Sequence, residues 1–316
     1  MSPLWLWFAL LQMGSPGGGE TQAIAFDPGN PDIIYAGAAK GLCKTTRGGK
    51  DNWPAVGLEG LSPRVIVVDP GAASTIWAGT YEMGVQKSID GGMTWAASNH
   101  GLSDGRVRAL ELAGGILYAG FDGAGVFRSS DAGATWTEAN RGLIDKVVRA
   151  LVADPNDPKV LYAGTWHGVY KTVDGGEQWT ADPEGLYDVD VAALALDPSN
   201  PSVIYAATNP RGVWRSGDGG KTWKAGERPL TEVLQSIAVD PGNPEHVYVG
   251  TRAGVWRSVN AGRTFERAGL AWSNSAWTLV FDGRTRPATL YYGGVGGVLK
   301  TTTGGKRWDV TGPVRP

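Results

Sequence analysis

The sequence predicts an all-β chain folded as a seven-bladed β-propeller of four-stranded antiparallel blades. Three observations predict it. A phrase close to S/T-x-D-x-G-x-T-W recurs seven times, each period contains the same four short pieces, the first three of them apolar, and no window sustains the i, i+3, i+4, i+7 stripe of a helix.

The phrase reads TTRGGKDNW at 45–53, SIDGGMTW at 88–95, SSDAGATW at 129–136 and TVDGGEQW at 172–179. It continues as SGDGGKTW at 216–223, SVNAGRTF at 258–265 and TTTGGKRW at 301–308. Its closing aromatics, Trp53, Trp95, Trp136, Trp179, Trp223, Phe265 and Trp308, are spaced by 42, 41, 43, 44, 42 and 43 residues. Within the fourth period the runs are VRALVADPNDP, VLYAGTWHG, VYKTVDGG and QWTADPEGL. Runs of four to seven β-branched and apolar residues bounded by Gly, Pro, Asn and Asp read as strands. The D-P-x-N-P phrases opened by Asp27, Asp154, Asp197 and Asp240 turn the first strand into the second, because Pro fixes φ and Asn tolerates the left-handed region.

One such meander has two apolar faces and cannot bury both alone, whereas seven packed around an axis can. Three positions before the D-P turn stand Ile24, Ile66, Leu110, Leu151, Leu194, Ile237 and Leu279; four before it stand Ala23, Val65, Ala109, Ala150, Ala193, Ser236 and Thr278. Large residues on one side and mostly small ones on the other fit sheets stacked closely near an axis. The expected organisation is an N-terminal segment, 1–20, and one propeller, 21–316, with blades near 21–60, 61–103, 104–144, 145–188, 189–231, 232–274 and 275–316. The run Leu4–Leu11 has the length of a signal-peptide core, but no basic residue precedes it and no A-x-A-like site follows. It reads either as a leader remnant or as a closing strand, with GSPGGGE at 14–20 as a turn or tether.

Composition narrows the function. The 29 basic and 31 acidic residues give a net charge of −2, so net charge offers nothing to nucleic acid. Glycine, 48 of 316 residues, has about twice its usual share, as a chain of tight turns requires. One cysteine, Cys43, excludes an intrachain disulfide and a multi-cysteine metal site, and three histidines leave little for a histidine-rich centre. No metal or cofactor is expected. The longest apolar run, eight residues, is too short to span a bilayer as a helix.

The phrase at 88–95, 129–136, 172–179 and 216–223 resembles the Asp-box, or BNR repeat, of sialidases, xyloglucan-degrading glycosidases, sortilin-type receptors and a photosystem II assembly-factor family. The likeness spans residues 21–312. Arg47, Asn260 and Thr303 replace the aspartate in copies one, six and seven. The resemblance implies a propeller in which the box is a structural stitch, and favours an extracytoplasmic location. It does not imply one activity. The early Arg-Ile-Pro phrase of sialidases is missing, no Tyr–Glu pair is assignable, and sialidase propellers have six blades. The xyloglucan hydrolases pair two propellers, and this chain has length for one.

In such a meander the D-P turns and the repeat phrases share one uniform face, and the second–third loops and between-blade links share a variable one, where ligand contacts belong. Five residues before the D-P turn, at the variable-face end of the inner strand, stand Gln22, Arg64, Arg108, Arg149, Ala192, Gln235 and Trp277. Three adjacent arginines there suit an anion or carboxylate, because a guanidinium fork matches such groups; they equally suit pairing with carboxylates such as Asp104, Asp145 or Glu82. Loop residues Tyr81, Trp166, His167, Arg211 and Arg252 complete the expected surface. The expected function is a non-enzymatic, monomeric scaffold binding a protein or a neutral or acidic glycan. The alternative is a glycoside hydrolase, which needs two opposed carboxylates, here Glu82 and Asp122 with Asp190 behind them.

Overall fold

The computed structural model describes residues 20–50, 52–181, 186–269 and 275–311. The Leu4–Leu11 run lies outside these. The fold is a seven-bladed β-propeller in which every sheet is an antiparallel meander in chain order. Blade 1 comprises β1 (Thr21–Phe26), β2 (Ile34–Ala38) and β3 (Gly41–Thr45), and its outermost strand is reduced to a single bridge between Cys43 and Ala55. Blade 2 has all four: β4 (Pro63–Val68), β5 (Ile76–Thr80), β6 (Val85–Ser88) and β7 (Ala96–Ala97). The other five blades repeat the blade 2 pattern.

The core lies between blades. The large inner-strand residues, Ile24, Ile66, Leu110, Leu151, Leu194, Ile237 and Leu279, are all buried. Each packs against the preceding blade: Leu110 joins Val65, Val67 and Trp77, and Leu151 joins Ala109 and Tyr118. Close approach requires a residue without a side chain on the second strand. A Cβ placed on Gly79 would stand 2.5 Å from Val107 Cγ1 of the next blade, and one on Gly293 would stand 2.9 Å from Thr21 Cγ2 across the ring closure. Blade 5 alone carries alanine, Ala207, at this register position.

A second device repeats with the blades. A buried second-strand aromatic and a third-strand cation both reach the repeat turn of the following blade. Tyr118 OH and an Arg128 guanidinium nitrogen donate to Gly175 O at 3.1 and 3.2 Å, and Tyr162 OH and Lys171 Nζ donate to Gly219 O at 3.2 and 2.8 Å. Lys300 Nζ donates to Gly48 O at 3.0 Å, so the same clamp closes blade 7 onto blade 1. The tryptophan of the turn reaches the other way: Trp136, Trp179 and Trp308 each donate Nε1 at 2.8 Å to an outer-strand carbonyl of the preceding blade. The indole is therefore a tie between blades. No helix among the described residues is long and apolar enough to cross a membrane.

Candidate functional site

The two faces have the expected contents. Repeat turns bond to first–second turns of their own blades, as in Gly91 N to Ser74 O and Gly175 N to Lys159 O, both at 2.9 Å. Inside the four turns that keep the aspartate, the carboxylate accepts locally. Asp131 takes the Ser129 hydroxyl at 2.7 Å, and the amide and hydroxyl of Thr135 at 2.8 and 2.6 Å. These bonds, the Thr135 hydroxyl first, push the Asp131 carboxyl down to about 2. Asn260 keeps the pattern without the charge, accepting from Ser258 Oγ at 2.9 Å and Thr264 N at 3.0 Å.

On the opposite face one irregularity recurs in every blade. The inner strand slips register between Thr21 and Ala23, Pro63 and Val65, Val107 and Ala109, Val148 and Ala150, Val191 and Ala193, Leu234 and Ser236, and Ala276 and Thr278. The residues inside these bulges are Gln22, Arg64, Arg108, Arg149, Ala192, Gln235 and Trp277, the set expected at the channel mouth. A bulge leaves its extra residue unpaired and re-aims the side chain, so ring symmetry repeats one mouth position seven times. Side-chain atoms of five of them, Gln22 Oε1, Arg64 Nε, Arg108 Nε, Gln235 Oε1 and Trp277 Nε1, are buried without a hydrogen-bond partner.

Four residues of blades 2 and 3 form the tightest cluster. The Arg64 and Arg108 guanidinium carbons lie 4.4 and 4.9 Å from the centre of the Tyr81 ring. Tyr81 OH donates to Asp122 Oδ2 at 2.9 Å, and Arg108 donates to the same oxygen at 2.9 Å. Both loops are braced by the links leaving their blades, through Gly84 N to Gly105 O at 2.9 Å and Gly123 N to Lys146 O at 3.1 Å. Burial works against the Asp122 carboxylate, but the bonds from Arg108 and Tyr81 outweigh it and hold its pKa below the usual value. Arg64 has no carboxylate partner among the described residues. Burial, and then the neighbouring charge of Arg108, hold its pKa below that of a free guanidinium.

Arg149 is separate. It donates to Asp190 at 2.5 and 2.7 Å, and Asn209 ties Asp190 to Leu234 by bonds of 3.4 Å to the carboxylate and 3.2 Å to the Leu234 carbonyl. The carboxylates expected to pair with the arginines are engaged elsewhere or exposed. Asp104 holds Arg106 at 3.0 Å, Asp145 accepts the amide and Nδ1 of His167 at 2.9 and 3.0 Å, and Glu82 is exposed. The partners are Asp122 and Asp190 instead: Asp122 follows the second strand of the blade that carries Arg108, and Asp190 opens the inner strand of the blade after that of Arg149. Trp166, Arg211 and Arg252 are exposed on their own loops, outside the cluster. Glu111, which the sequence reading passed over, lies three residues along the inner strand from Arg108; burial raises its carboxyl to about 8, against the opposing bond from the Ala153 backbone.

No family model and no curated protein matches this chain in sequence. Solved structures do match in fold. An ancestral GH74 enzyme superposes with TM-score 0.73 at 19% identity over 94% of this chain and 46% of its own, so this chain spans about half the length of that enzyme. YCF48 bound to D1 peptide superposes at 0.69 with 16% identity over 92% of this chain and 94% of its own. The extracellular domain of BT4673 from B. thetaiotaomicron superposes at 0.72 with 15% identity over 89% of this chain and 37% of its own. Such neighbours place the chain among seven-bladed propellers that include an enzyme, a peptide-bound protein and an extracellular domain, and at these identities they speak for fold alone.

Proposed function

We propose that the protein is a non-enzymatic propeller of the Asp-box type that binds a protein or carbohydrate ligand by an acidic group at the mouth of its variable face. The observation that carries this reading is Arg64, a half-buried cation stacked on Tyr81, beside Arg108, with no acid of its own. An oxyanion there would relieve the repulsion between the two guanidinium groups and take the fork that Arg64 leaves unused. Gln22, Gln235, Trp277, Arg149 and the loop residues Trp166, His167, Arg211 and Arg252 then serve as the surrounding surface. A peptide stands as ligand in the YCF48 structure, which makes an acidic peptide segment a ligand class to test beside acidic sugars.

Hydrolysis is the second reading, kept open by the GH74 likeness. The pairings at the mouth weigh against it. Glycoside cleavage needs one carboxyl protonated and another ionised across the bond. Asp122 and Asp190 each bind an arginine, and Glu82 has no hydrogen bond to orient it among the described residues.

Calorimetric titration with glucuronic acid, sialic acid and an acidic peptide is the test. Binding is expected to weaken with added salt and to weaken about tenfold or more in Arg64→Met, since a charge-assisted contact contributes about 1.5–3 kcal/mol. Lys159→Ala, on the turn face, is expected to leave it unchanged. Absence of binding by the whole panel at low salt, or turnover of chromogenic glycosides, would overturn the reading.

A further inference from the structure

The outer rims of the blades are not alike. The outermost strands carry Thr137–Glu138, Thr180–Ala181, Lys224–Ala225, Glu266–Arg267 and Asp309–Val310, each with at least one polar or charged side chain, whereas β7 of blade 2 is Ala96–Ala97. Charged side chains on a free strand edge oppose pairing with a foreign strand. On β7 no such guard exists, and both alanines are exposed.

The backbone there is also presented for pairing. Ala97 stands opposite Gln86 and Ala96 opposite Lys87, and Ser98 donates its amide inward to Val85 O at 2.8 Å. Alternate residues of an antiparallel strand turn their N–H and C=O groups to opposite sides, so those of Ala97, next to Ser98, point away from the blade. Beside this edge lies a cavity of about 360 Å³, lined by Lys87, Ile89, Trp95, Ala97, His100 and Gly133 among others. Its volume falls in the range of sites that accept a side chain or small ligand. Above it protrude Ile89 and Met93, 69% and 74% exposed.

Charge selects the occupant. The lining contains a lysine and a histidine and neither aspartate nor glutamate. Two copies of the chain joined edge to edge would bring one Lys87 toward the other, whereas an acidic strand meets that charge favourably. We propose that the rim of blade 2 is a strand-addition site for an extended segment of a protein partner. The segment adds to β7 through the outward groups of Ala97, places an apolar side chain in the cavity against Ile89 and Trp95, and carries acidic residues beside it. Main-chain bonds supply affinity in this mode and the cavity supplies selectivity. The site is on the side of the ring and does not depend on the mouth.

The test uses the whole chain and a blocked peptide that alternates glutamate and valine about a central leucine. Saturable binding is expected, with hydrogen exchange slowed at 96–99 and unchanged at 224–226. Ala97→Pro removes an outward N–H that the blade does not use, and loss of the paired bonds is expected to weaken binding about tenfold. Ala225→Pro on blade 5 is the control and is expected to bind as the parent does. Ala97→Glu keeps the backbone and adds a guard of the same sign as the acidic segment, so its weakening is expected even if the proline variant folds poorly. Equal binding by all three variants, exchange that slows elsewhere, or self-association that the peptide does not displace would overturn the proposal; the last would make a second copy the occupant.

Discussion

The turn face and the mouth face use the same seven-fold scaffold in opposite ways. At the turns, the repeated charged side chains are answered within a few residues or by the adjoining blade: Asp131 by Ser129 and Thr135, Lys300 by the Gly48 carbonyl. At the mouth, the bulge arginines take whatever partner the nearest loop or strand end supplies. Arg108 finds Asp122, Arg149 finds Asp190, and Arg64 finds only the face of Tyr81. Local satisfaction can be copied from blade to blade, so it marks stability. Satisfaction by non-repeated loops differs in every blade, and that is where a repeat protein distinguishes one ligand from another.

The largest expected effect tests the turn face where blade 7 meets blade 1. Lys300→Met removes the clamp at ring closure, and loss of a hydrogen bond from a charged donor is expected to cost about 1.5–3 kcal/mol in denaturant unfolding, with mouth binding unchanged. A comparable loss of affinity would join the two faces into one unit and break the comparison. Gly79→Ala should follow, destabilising by about 1–3 kcal/mol because the new methyl meets Val107 and Val65 of a packed interface. Unchanged melting there would show that the blades have slack.

The third expectation concerns acid. Asp90 and Asp131 are held down to about 2, first by the Thr94 and Thr135 hydroxyls. A carboxylate depressed in the folded state contributes stability that is complete above the unfolded value, about 4, and is lost as pH falls through about 2. Asp131→Asn should therefore fold as the Asn260 turn does and lose less stability between pH 4 and pH 2, read by thermal melts across that window. An unaltered pH profile would remove the turn carboxylates as its cause. The smallest effect on stability is expected at the mouth. Asp122→Asn removes the negative charge on Arg108 but leaves an oxygen for Tyr81, so melting should barely move while anion binding tightens at low salt. Weaker binding would assign Asp122 to the ligand and not to the arginine.

The fold was legible because its determinants are short and repeated. The Trp53-to-Trp308 spacing, the D-P turns and the large and small inner-strand positions each depend on neighbours close in sequence or one period away, so alignment of the chain with itself exposes them. The clamp was legible in part: the aromatic before A-G and the Lys or Arg before Ser or Thr recur visibly, as in Tyr162 and Lys171, but their target in the following blade does not. The position of the mouth residues was also readable, since counting back from the turn selects Gln22, Arg64, Arg108, Arg149, Ala192, Gln235 and Trp277.

Their pairing was not. By itself the sequence determined the ring, the period and the blade position that Arg64, Arg108 and Arg149 share, because strand alternation and turn chemistry act over a few residues. Only the tertiary structure decided that the extra residue is a bulge, that Asp122 and Asp190 neutralise Arg108 and Arg149, and that Arg64 is left to Tyr81. It also decided that the all-alanine rim of blade 2 adjoins a cavity. Each depends on where loops of adjacent blades come to rest, and a carboxylate 14 or 41 residues away from its arginine carries no periodic signal of which it will meet.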